Sequence, residues 1–271
     1  VRILAPQPNM IAILNKLFFS SKKLNSLNTE FQKLKIEKEA EKIFEIIEDD
    51  SNTSEIRYVG GCVRKIVNNE TADDIDLAVN LSPNEILKIL KNNDIEYYET
   101  GIDHGTVTVL INQNKFEITS LRKDIKTDGR HAKVEFSRDW HEDASRRDFS
   151  INCIYADIDG NLFDPFNGRK DLEKGLIKFI GDPEKRIKED YLRILRYIRF
   201  YLSYSKINHN HKVIKIIKKN LDGVSKISSE RLLGEFKKLV RSEGFTKLGK
   251  DKFCLEIINL IFPQFKNIRI F

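Results

Sequence analysis

The sequence predicts an α+β fold in which a mixed-sheet domain is followed by helices. Short β-branched runs occupy the chain from Ile56 to about Asp164, and helical periodicity replaces them from Gly168 onward. The 271 residues are enough for a buried core and for more than one domain. We therefore divide the chain into an N-terminal helical extension (1–50), a sheet domain (51–166) and a helical region (167–271).

Local patterns justify each element. Apolar residues at helical spacing predict an amphipathic helix over residues 27–50. Strands are predicted at "IRYVGG", "DIDLAVN", "GTVTVLI", "KFEITSL", "KVEF" and "INCIYAD", and later helices at "EKRIKEDYLRILRYIRFYLSYS", "HKVIKIIKKNLD" and "SSERLLGEFKKLVRS". Between two of the strands, Ser82 followed by Glu85 predicts a capping box at the start of a helix.

Composition narrows the class of protein. The formal charge is +6, and from Tyr201 to Phe271 there are 15 Lys/Arg against six Asp/Glu. This basic C-terminal part favours an anionic partner, although a solvated lysine-rich surface is the alternative. No uninterrupted apolar run of about 18 residues occurs, which argues against a membrane span. The three cysteines are far apart and lack CxxC spacing, so neither a disulfide framework nor a zinc site is indicated, and we expect a reducing cytoplasm.

The segment "DDIDLAVN" carries two candidate metal ligands. Asp74 and Asp76 are two residues apart, so on a strand both point to one face, while Asp73 points the other way. Adjacent carboxylates repel each other unless a cation lies between them, and oxygen ligands alone favour Mg²⁺ over Zn²⁺. A charged strand edge is the alternative explanation.

The segment "GGCVR" follows a predicted strand and enters a predicted helix. Gly60 and Gly61 leave backbone N–H groups accessible near the helix start, and Arg64 lies one turn further on. Such a turn can hold phosphate, although most Gly-Gly turns are only turns. A phosphate-binding turn near two carboxylates fits nucleotidyl transfer. Glu117, on a later predicted strand, could supply a third carboxylate or be an exposed strand residue.

Several motifs occur in an order that identifies a family. They are "GGCVR…DIDLA", "GIDHGTVTV", "FEITSLR", "DGRH", "EDASRRDFSINCIY", "LFDPFNGRKDLEKGLIKFIGDPEKRIKEDYLRILRYIRF" and "ISSERLLGEF". Together they resemble the bacterial class II tRNA nucleotidyltransferases, or CCA-adding enzymes, and the related poly(A) polymerases, over about Ile56 to Phe236. The resemblance implies a nucleotidyltransferase-type head domain, a helical neck and a truncated helical body.

The resemblance also implies roles for individual residues. Asp74 and Asp76 would hold the catalytic metals, taken as Mg²⁺, with CTP, ATP and the tRNA 3′ end as partners. Nucleotide binding would fall to the glycine turn, the arginine of "RRDF" and the Asp/Arg residues of the "EDYLRILRYIRF" segment: Gly60, Gly61, Arg64, Arg147, Asp190, Arg193, Arg196 and Arg199.

The chemistry of the "EDYLRILRYIRF" segment can be described without reference to the family. Asp190 and arginines at spacings of three share one broad face of a helix and offer acceptors and forked donors. Such a pair can satisfy the Watson–Crick edge of cytosine or adenine, which would make the protein itself the template. A salt-bridged exposed face is the alternative for these residues considered alone.

Two departures from the family pattern stand out. Lys65 occupies the position where the family usually has aspartate after the arginine of the glycine turn, and we expect a local change there without loss of the metal site. The chain also ends at Phe271, short of the usual family length, so we expect much of the region that holds the tRNA elbow to be absent. Oligomeric state stays open.

Three functions remain compatible with the sequence. The first is CCA addition to tRNA. The second is a related activity, either poly(A) synthesis or a specialist that adds CC or A alone. The third is a non-catalytic RNA-binding protein. The segment "RKDIKTDGRHAKVEF" is long enough for the flexible loop that the family links to the switch from C to A addition, which weighs against a CC-only enzyme. Retention of Asp74 and Asp76 weighs against a non-catalytic protein.

Overall fold

The computed structural model describes residues 38–72, 74–112, 114–127 and 132–265. Within them, the N-terminal half forms one large sheet and a separate two-stranded ribbon. The large sheet has the order β3-β4-β5-β2-β1-β8-β9, with β1 (Ile56–Val59), β2 (Asp76–Val79), β3 (Glu96–Gly101), β4 (Thr106–Ile111), β5 (Asn114–Ser120), β8 (Tyr155–Ala156) and β9 (Leu162–Phe163). The ribbon pairs β6 (Arg122–Thr127) with β7 (Ala132–Phe136).

The sheet is mixed because one central pair is parallel. Strands β2 and β5 run in the same direction, whereas the other pairs are antiparallel. The parallel register sets Asp76 opposite Glu117. Side chains alternate along β2, so Leu77 and Val79 enter one core and Ala78 enters another on the opposite face.

Helices cover both faces of the sheet. Apolar residues of α1 (Lys38–Glu48), α2 (Gly61–Val67) and α3 (Pro83–Asn92) pack into the first core, and α4 (Trp140–Arg146) packs into the second. The capping box at the start of α3 is confirmed: the Ser82 side chain accepts from the backbone of Glu85, whose carboxylate accepts from the Ser82 N–H at 2.7 Å. The predicted helix over 27–50 is described only from Lys38, where it packs on the sheet; the domain boundary at residue 50 stays a prediction.

The C-terminal half is helical, which together with the sheet confirms the α+β class. Its helices are α5 (Gly168–Lys174), α6 (Pro183–Glu189), α7 (Leu192–Tyr204), α8 (His211–Lys219), α9 (Ser229–Val240) and α10 (Lys252–Ile261). A core of its own runs along the buried face of α7, through residues such as Ile194, Ile198 and Leu202. None of the described helices has the length and apolarity that crossing a membrane requires.

The prediction of one continuous helix from Glu184 to Ser205 is wrong. Helix α6 ends at Glu189 and α7 begins at Leu192, because Asp190 adopts extended angles (φ −154°, ψ 106°) and its carboxylate accepts from the Leu192 N–H at 3.1 Å. A side chain that accepts from the backbone in this way favours a helix start over a helix interior. Asp190 therefore precedes the arginine-bearing helix and is not part of it.

Other differences concern the strands. Strands β3 ("EYYETG") and β6 ("RKDIKT") are not predicted from the sequence, because their charged residues hide the alternation typical of a half-buried strand. The predicted strand "INCIYAD" is a short 3₁₀ turn, Ser150–Asn152, followed by the two residues of β8.

Candidate active site

A cavity of about 730 Å³ is lined by residues of both the sheet domain and the helical region. Its acidic lining residues are Asp74, Asp76, Asp148 and Asp190. Its cationic lining residues are Arg64, Lys65, Arg122, Arg146, Arg147, Arg193, Arg196, Arg199 and Lys238. Cations outnumber acids by nine to four, so the cavity is suited to a polyanionic ligand. Lys65, which departs from the family pattern, adds to this positive charge.

The glycine turn lies beside the acidic strand. Gly60 links β1 to α2 with φ +73°, a left-handed conformation that strains residues with a Cβ. A Cβ added at Gly60 would lie 3.5 Å from Oδ2 of Asp76. Gly61 begins α2, and both glycines line the cavity.

Asp76 is the first residue of β2, whereas Asp74 lies before the strand. The prediction that both carboxylates sit on one strand is therefore wrong for Asp74, although both line the cavity. Asp73 lies outside the described residues. Burial raises the pKa of Asp76, and the charges of Glu117 and Asp74 raise it further, while Arg147 and Lys238 oppose them. A cation bound at Asp76 would relieve this destabilisation of the ionised form.

Glu117 faces Asp76 through the β2–β5 register but does not line the cavity. Its side chain is half exposed and forms an ion pair with Lys115 at 3.2 Å. It does not join Asp74 and Asp76 in a three-ligand cluster among the described residues. These contacts favour Glu117 as a charge neighbour of Asp76 more than as a direct metal ligand.

We expect Glu117→Gln to lower the pKa of Asp76, because the glutamate charge is the largest contribution after burial. The metal-free protein would be titrated by NMR with the aspartate carboxyl carbons labelled. Glu96→Gln, another glutamate on a strand of the same sheet, is the matched control and should leave the titration of Asp76 unchanged. An equal shift in both variants would contradict the pairing.

Asp143 fixes the orientation of Arg147. Oδ2 of the buried Asp143 accepts from Nε and Nη2 of Arg147 at 3.1 and 3.0 Å and from the Tyr155 hydroxyl at 2.7 Å. Burial alone would raise the pKa of Asp143, but the charges of Arg147 and Arg146 outweigh it and hold that pKa well below its usual range. Arg147 is therefore held rigidly at the cavity wall.

A chain of hydrogen bonds connects Arg64 to α7. Nη1 of Arg64 donates to Oδ1 of Asn152, whose Nδ2 donates to Oδ1 of Asp148 at 2.9 Å. Oδ2 of Asp148 accepts from Nε of Arg196 at 2.6 Å. The Arg64 guanidinium also lies 4.9 Å from the centre of the Phe200 ring, within cation–π range. Residues from both halves of the protein thus form one network along the cavity wall.

Asp190, which precedes α7, and three arginines of α7 line the same cavity: Arg193, Arg196 and Arg199. Each of these residues also has a partner within the protein. Oδ2 of Asp190 accepts from Arg231 at 2.7 Å, Arg193 pairs with Glu189 at 2.9 Å, and Arg199 donates to the buried Glu235 at 2.5 Å. Because Arg231 and Glu235 belong to α9, that helix supports the arginine-bearing wall.

Five of these supporting residues were not predicted from the sequence: Asp143, Asp148, Asn152, Arg231 and Glu235. Each lies inside a segment quoted above, either "EDASRRDFSINCIY" or "ISSERLLGEF". The two segments therefore contain the signal, although the resemblance assigns a role only to Arg147 within them.

Comparisons with known proteins identify a head domain in this chain and relatives that share it. Residues 56–178 match the model of the poly A polymerase head domain. The chain is 42% identical over 189 residues to the human CCA tRNA nucleotidyltransferase 1, mitochondrial, covering 69% of this chain and 44% of that protein. It is 40% identical over 195 residues to a CCA-adding enzyme of Lactobacillus johnsonii, covering 71% and 48%. The chain thus spans about half the length of these curated relatives.

A solved structure extends the similarity beyond the head domain. The CCA-adding enzyme of Bacillus stearothermophilus in complex with CTP superposes with a TM-score of 0.70 at 28% identity, over 82% of this chain and 51% of that one. The similarity therefore includes helices that follow the head domain. From the ordered motifs, the charged cavity and these matches, we conclude that residues 56–178 of the chain are a poly A polymerase head domain and that the helices after it continue the similarity to CCA-adding enzymes.

Proposed function

We propose that this chain carries the catalytic part of a template-independent nucleotidyltransferase that adds CCA to tRNA 3′ ends from CTP and ATP. The supporting observation is that Asp74 and Asp76 line the same cavity as Asp190 and Arg193. One cavity thereby combines carboxylates for phosphoryl chemistry with side chains that can recognise a base. The names of the relatives and the CTP complex of the Bacillus enzyme support this choice of substrates.

The similarity to CCA-adding enzymes implies a divalent metal ion, and we propose that it is Mg²⁺ held by Asp74 and Asp76. The donor set fits, because both ligands are carboxylates and Mg²⁺ prefers oxygen ligands. The raised pKa of Asp76 also fits, since burial and the charges of Glu117 and Asp74 disfavour its ionised form and a bound cation would favour that form. When bound, the ion would supply the charge that favours attack of the RNA 3′-hydroxyl on the α-phosphate and departure of pyrophosphate.

The arginines and Lys238 would bind the triphosphate. Arg147 and Lys238 are close enough to Asp76 to lower its pKa, so phosphates bound beside the carboxylates would meet both cations. Arg64 lies one turn into α2 and lines the same cavity. The Asp143 contacts hold Arg147 in place before substrate arrives, so less side-chain entropy is lost on binding.

Asp190 and Arg193 would read the base. Their present partners, Arg231 and Glu189, are ion-pair groups that can be exchanged for the edge of a nucleotide. An aspartate supplies acceptors and an arginine supplies donors, so the pair can match either cytosine or adenine as its hydrogen bonds rearrange. The reactive end and the selective end of the nucleotide would thus be held by different residues.

One assay tests the proposal. The protein is incubated with Mg²⁺ and tRNA transcripts that end before CCA, after CC or after CCA, with CTP, ATP or both, and the products are sequenced. Ordered completion of CCA followed by arrest is the expected result. Long A tails or arrest at CC would instead assign one of the related activities, and RNA binding without any addition would overturn catalysis.

Asp190→Ala is expected to relax nucleotide choice while leaving metal binding intact. A lost base contact is worth about 1–3 kcal/mol, so discrimination between CTP and ATP should change by roughly 5- to 150-fold. The measurement is kcat/KM for each nucleotide. Asp190→Asn keeps an acceptor for the Leu192 N–H and should show the same loss of discrimination, which separates base reading from helix capping.

The matched control is Asp182→Asn, at the N-cap of α6, where the Asp182 side chain accepts from the Lys185 N–H at 2.9 Å. Asp182 does not line the cavity, so discrimination should stay unchanged. Unaltered discrimination in both Asp190 variants would refute the template role.

A further inference from the structure

A second group of metal-binding side chains lies in the helical region. Nε2 of His209, a carboxylate oxygen of Asp251 and Sγ of Cys254 all lie within 4.8 Å of one another. His209 Nε2 is 3.0 and 3.2 Å from the two Asp251 oxygens and 3.8 Å from Cys254 Sγ. None of the three lines the nucleotide cavity, so the proposed nucleotide chemistry does not account for them.

The separations from His209 Nε2 are close to those between zinc ligands. Zinc binds imidazole nitrogen at about 2.0–2.1 Å, carboxylate oxygen at about 2.0–2.2 Å and thiolate sulfur at about 2.3 Å. In a tetrahedral site, neighbouring ligand atoms are then roughly 3.3–3.6 Å apart, following from the same bond lengths. Small side-chain movements would bring the observed atoms onto three corners of that tetrahedron.

The surroundings orient the imidazole for metal binding. Nδ1 of His209 lies 3.1 Å from the Tyr197 hydroxyl, which can accept a hydrogen bond from an N–H there and so leave the Nε2 lone pair for a metal. The ring stacks on Tyr201 with centroids 3.5 Å apart and meets Phe253 edge-on at 4.8 Å. The histidine is therefore fixed from three sides.

The other two ligands are fixed by α10. Asp251 is its N-cap, and Oδ1 accepts from the Cys254 N–H at 2.8 Å, which leaves Oδ2 for other contacts. Cys254 is buried. The side chains of His209 and Asp251 are 10% and 22% exposed, so an ion could enter from solvent and keep water at the fourth position.

We propose that His209, Asp251 and Cys254 form a zinc site that joins the segment between α7 and α8 to the start of α10. Binding releases one proton from the Cys254 thiol, and the thiolate and the Asp251 carboxylate then balance the charge of Zn²⁺. The mixed N, O and S ligands favour Zn²⁺ over Mg²⁺, so this site differs in metal from the carboxylate pair. The competing explanation is a hydrogen-bonded His209–Asp251 pair that binds no metal.

Cobalt substitution tests the site directly. The full chain, reduced and stripped of metal, is titrated with Co²⁺ in excess Mg²⁺, and thiolate-to-cobalt charge-transfer absorption is recorded. Carboxylates alone give no such band, so the signal reports a cysteine ligand. We expect one equivalent of Co²⁺, displaced by Zn²⁺. Cys254→Ser should abolish the band, while Cys153→Ala, at a buried cysteine of the sheet domain, should keep it.

Two further variants separate metal binding from folding. Asp251→Asn preserves an acceptor for the N-cap of α10. It should nevertheless bind Co²⁺ and Zn²⁺ much more weakly than the wild-type chain does. Tyr197→Phe removes only the partner of Nδ1 and should weaken Zn²⁺ binding about 10- to 100-fold, measured by competition with a chromophoric chelator. Absence of the cobalt band from the wild-type chain, or its persistence in folded Cys254→Ser, would overturn the proposal.

Discussion

Asp76→Asn is expected to reduce nucleotide addition by roughly a thousandfold or more. Metal-assisted charge stabilisation is worth several kcal/mol, and about 1.4 kcal/mol corresponds to a factor of ten in rate. Asparagine keeps the size of the side chain and removes the charge that would hold the cation. The measurement is single-turnover addition of CTP to a tRNA transcript that lacks CCA.

The same substitution should not destabilise the metal-free protein. Because the pKa of Asp76 is raised in the folded state, folded-state stability falls as pH rises through that pKa, and the ionised group is unfavourable at neutral pH. Asp76→Asn removes this cost, so the free energy of unfolding should stay level or increase. Asp222→Asn, at an exposed acid of a 3₁₀ segment, is the control for both measurements. Normal turnover by Asp76→Asn would refute the metal assignment.

Asp148→Ala is expected to lower the free energy of unfolding by about 3–5 kcal/mol, the usual cost of removing one partner from a buried ion pair. Asp148 is 7% exposed and accepts from Arg196, from Asn152 and from the Phe149 N–H. Its loss leaves the partly buried Arg196 with only the longer ion pair to Glu235, at 3.8 Å. Urea unfolding followed by circular dichroism measures the change.

The contribution of Asp148 should also depend on pH. Burial alone would raise the pKa of Asp148, but Arg196 and the hydrogen bonds to its carboxylate lower it to about 2. A lowered folded-state pKa means that the stabilisation is complete above the unfolded pKa of about 4 and is lost as pH falls towards 2. The difference between wild type and Asp148→Ala should therefore shrink over that range. Asp159→Ala, at an exposed turn, should show no comparable difference at any pH.

Features set by neighbouring residues could be predicted from the sequence. The glycine turn, the helix after it and the capping box at Ser82 depend on a few adjacent positions, and the structure contains all three. The arginines at spacings of three line one cavity because helical geometry fixes their common face. The α+β class follows similarly from the change of periodicity along the chain.

Features that depend on distant contacts could not be predicted. The break at Asp190 depends on a side chain competing for the backbone, which helical periodicity does not reveal. Asp148 and Arg196 are 48 residues apart, and His209 and Cys254 are 45 apart, so only the folded chain brings each pair together. Spacing rules for cysteine and histidine detect metal sites built within one segment, and this group joins two segments.

The hydrogen-bonded chain from Arg64 through Asn152 and Asp148 to Arg196 has a consequence for nucleotide selection. It ties the wall that would hold phosphates to the wall that would read bases, through groups that are costly to separate when buried. The hydrogen bonds therefore hold the two walls at a fixed distance from each other. Side chains such as those of Asp190 and Arg193 would then rotate to accommodate first a small pyrimidine and later a larger purine. A hinge movement between the two halves of the protein would not be needed.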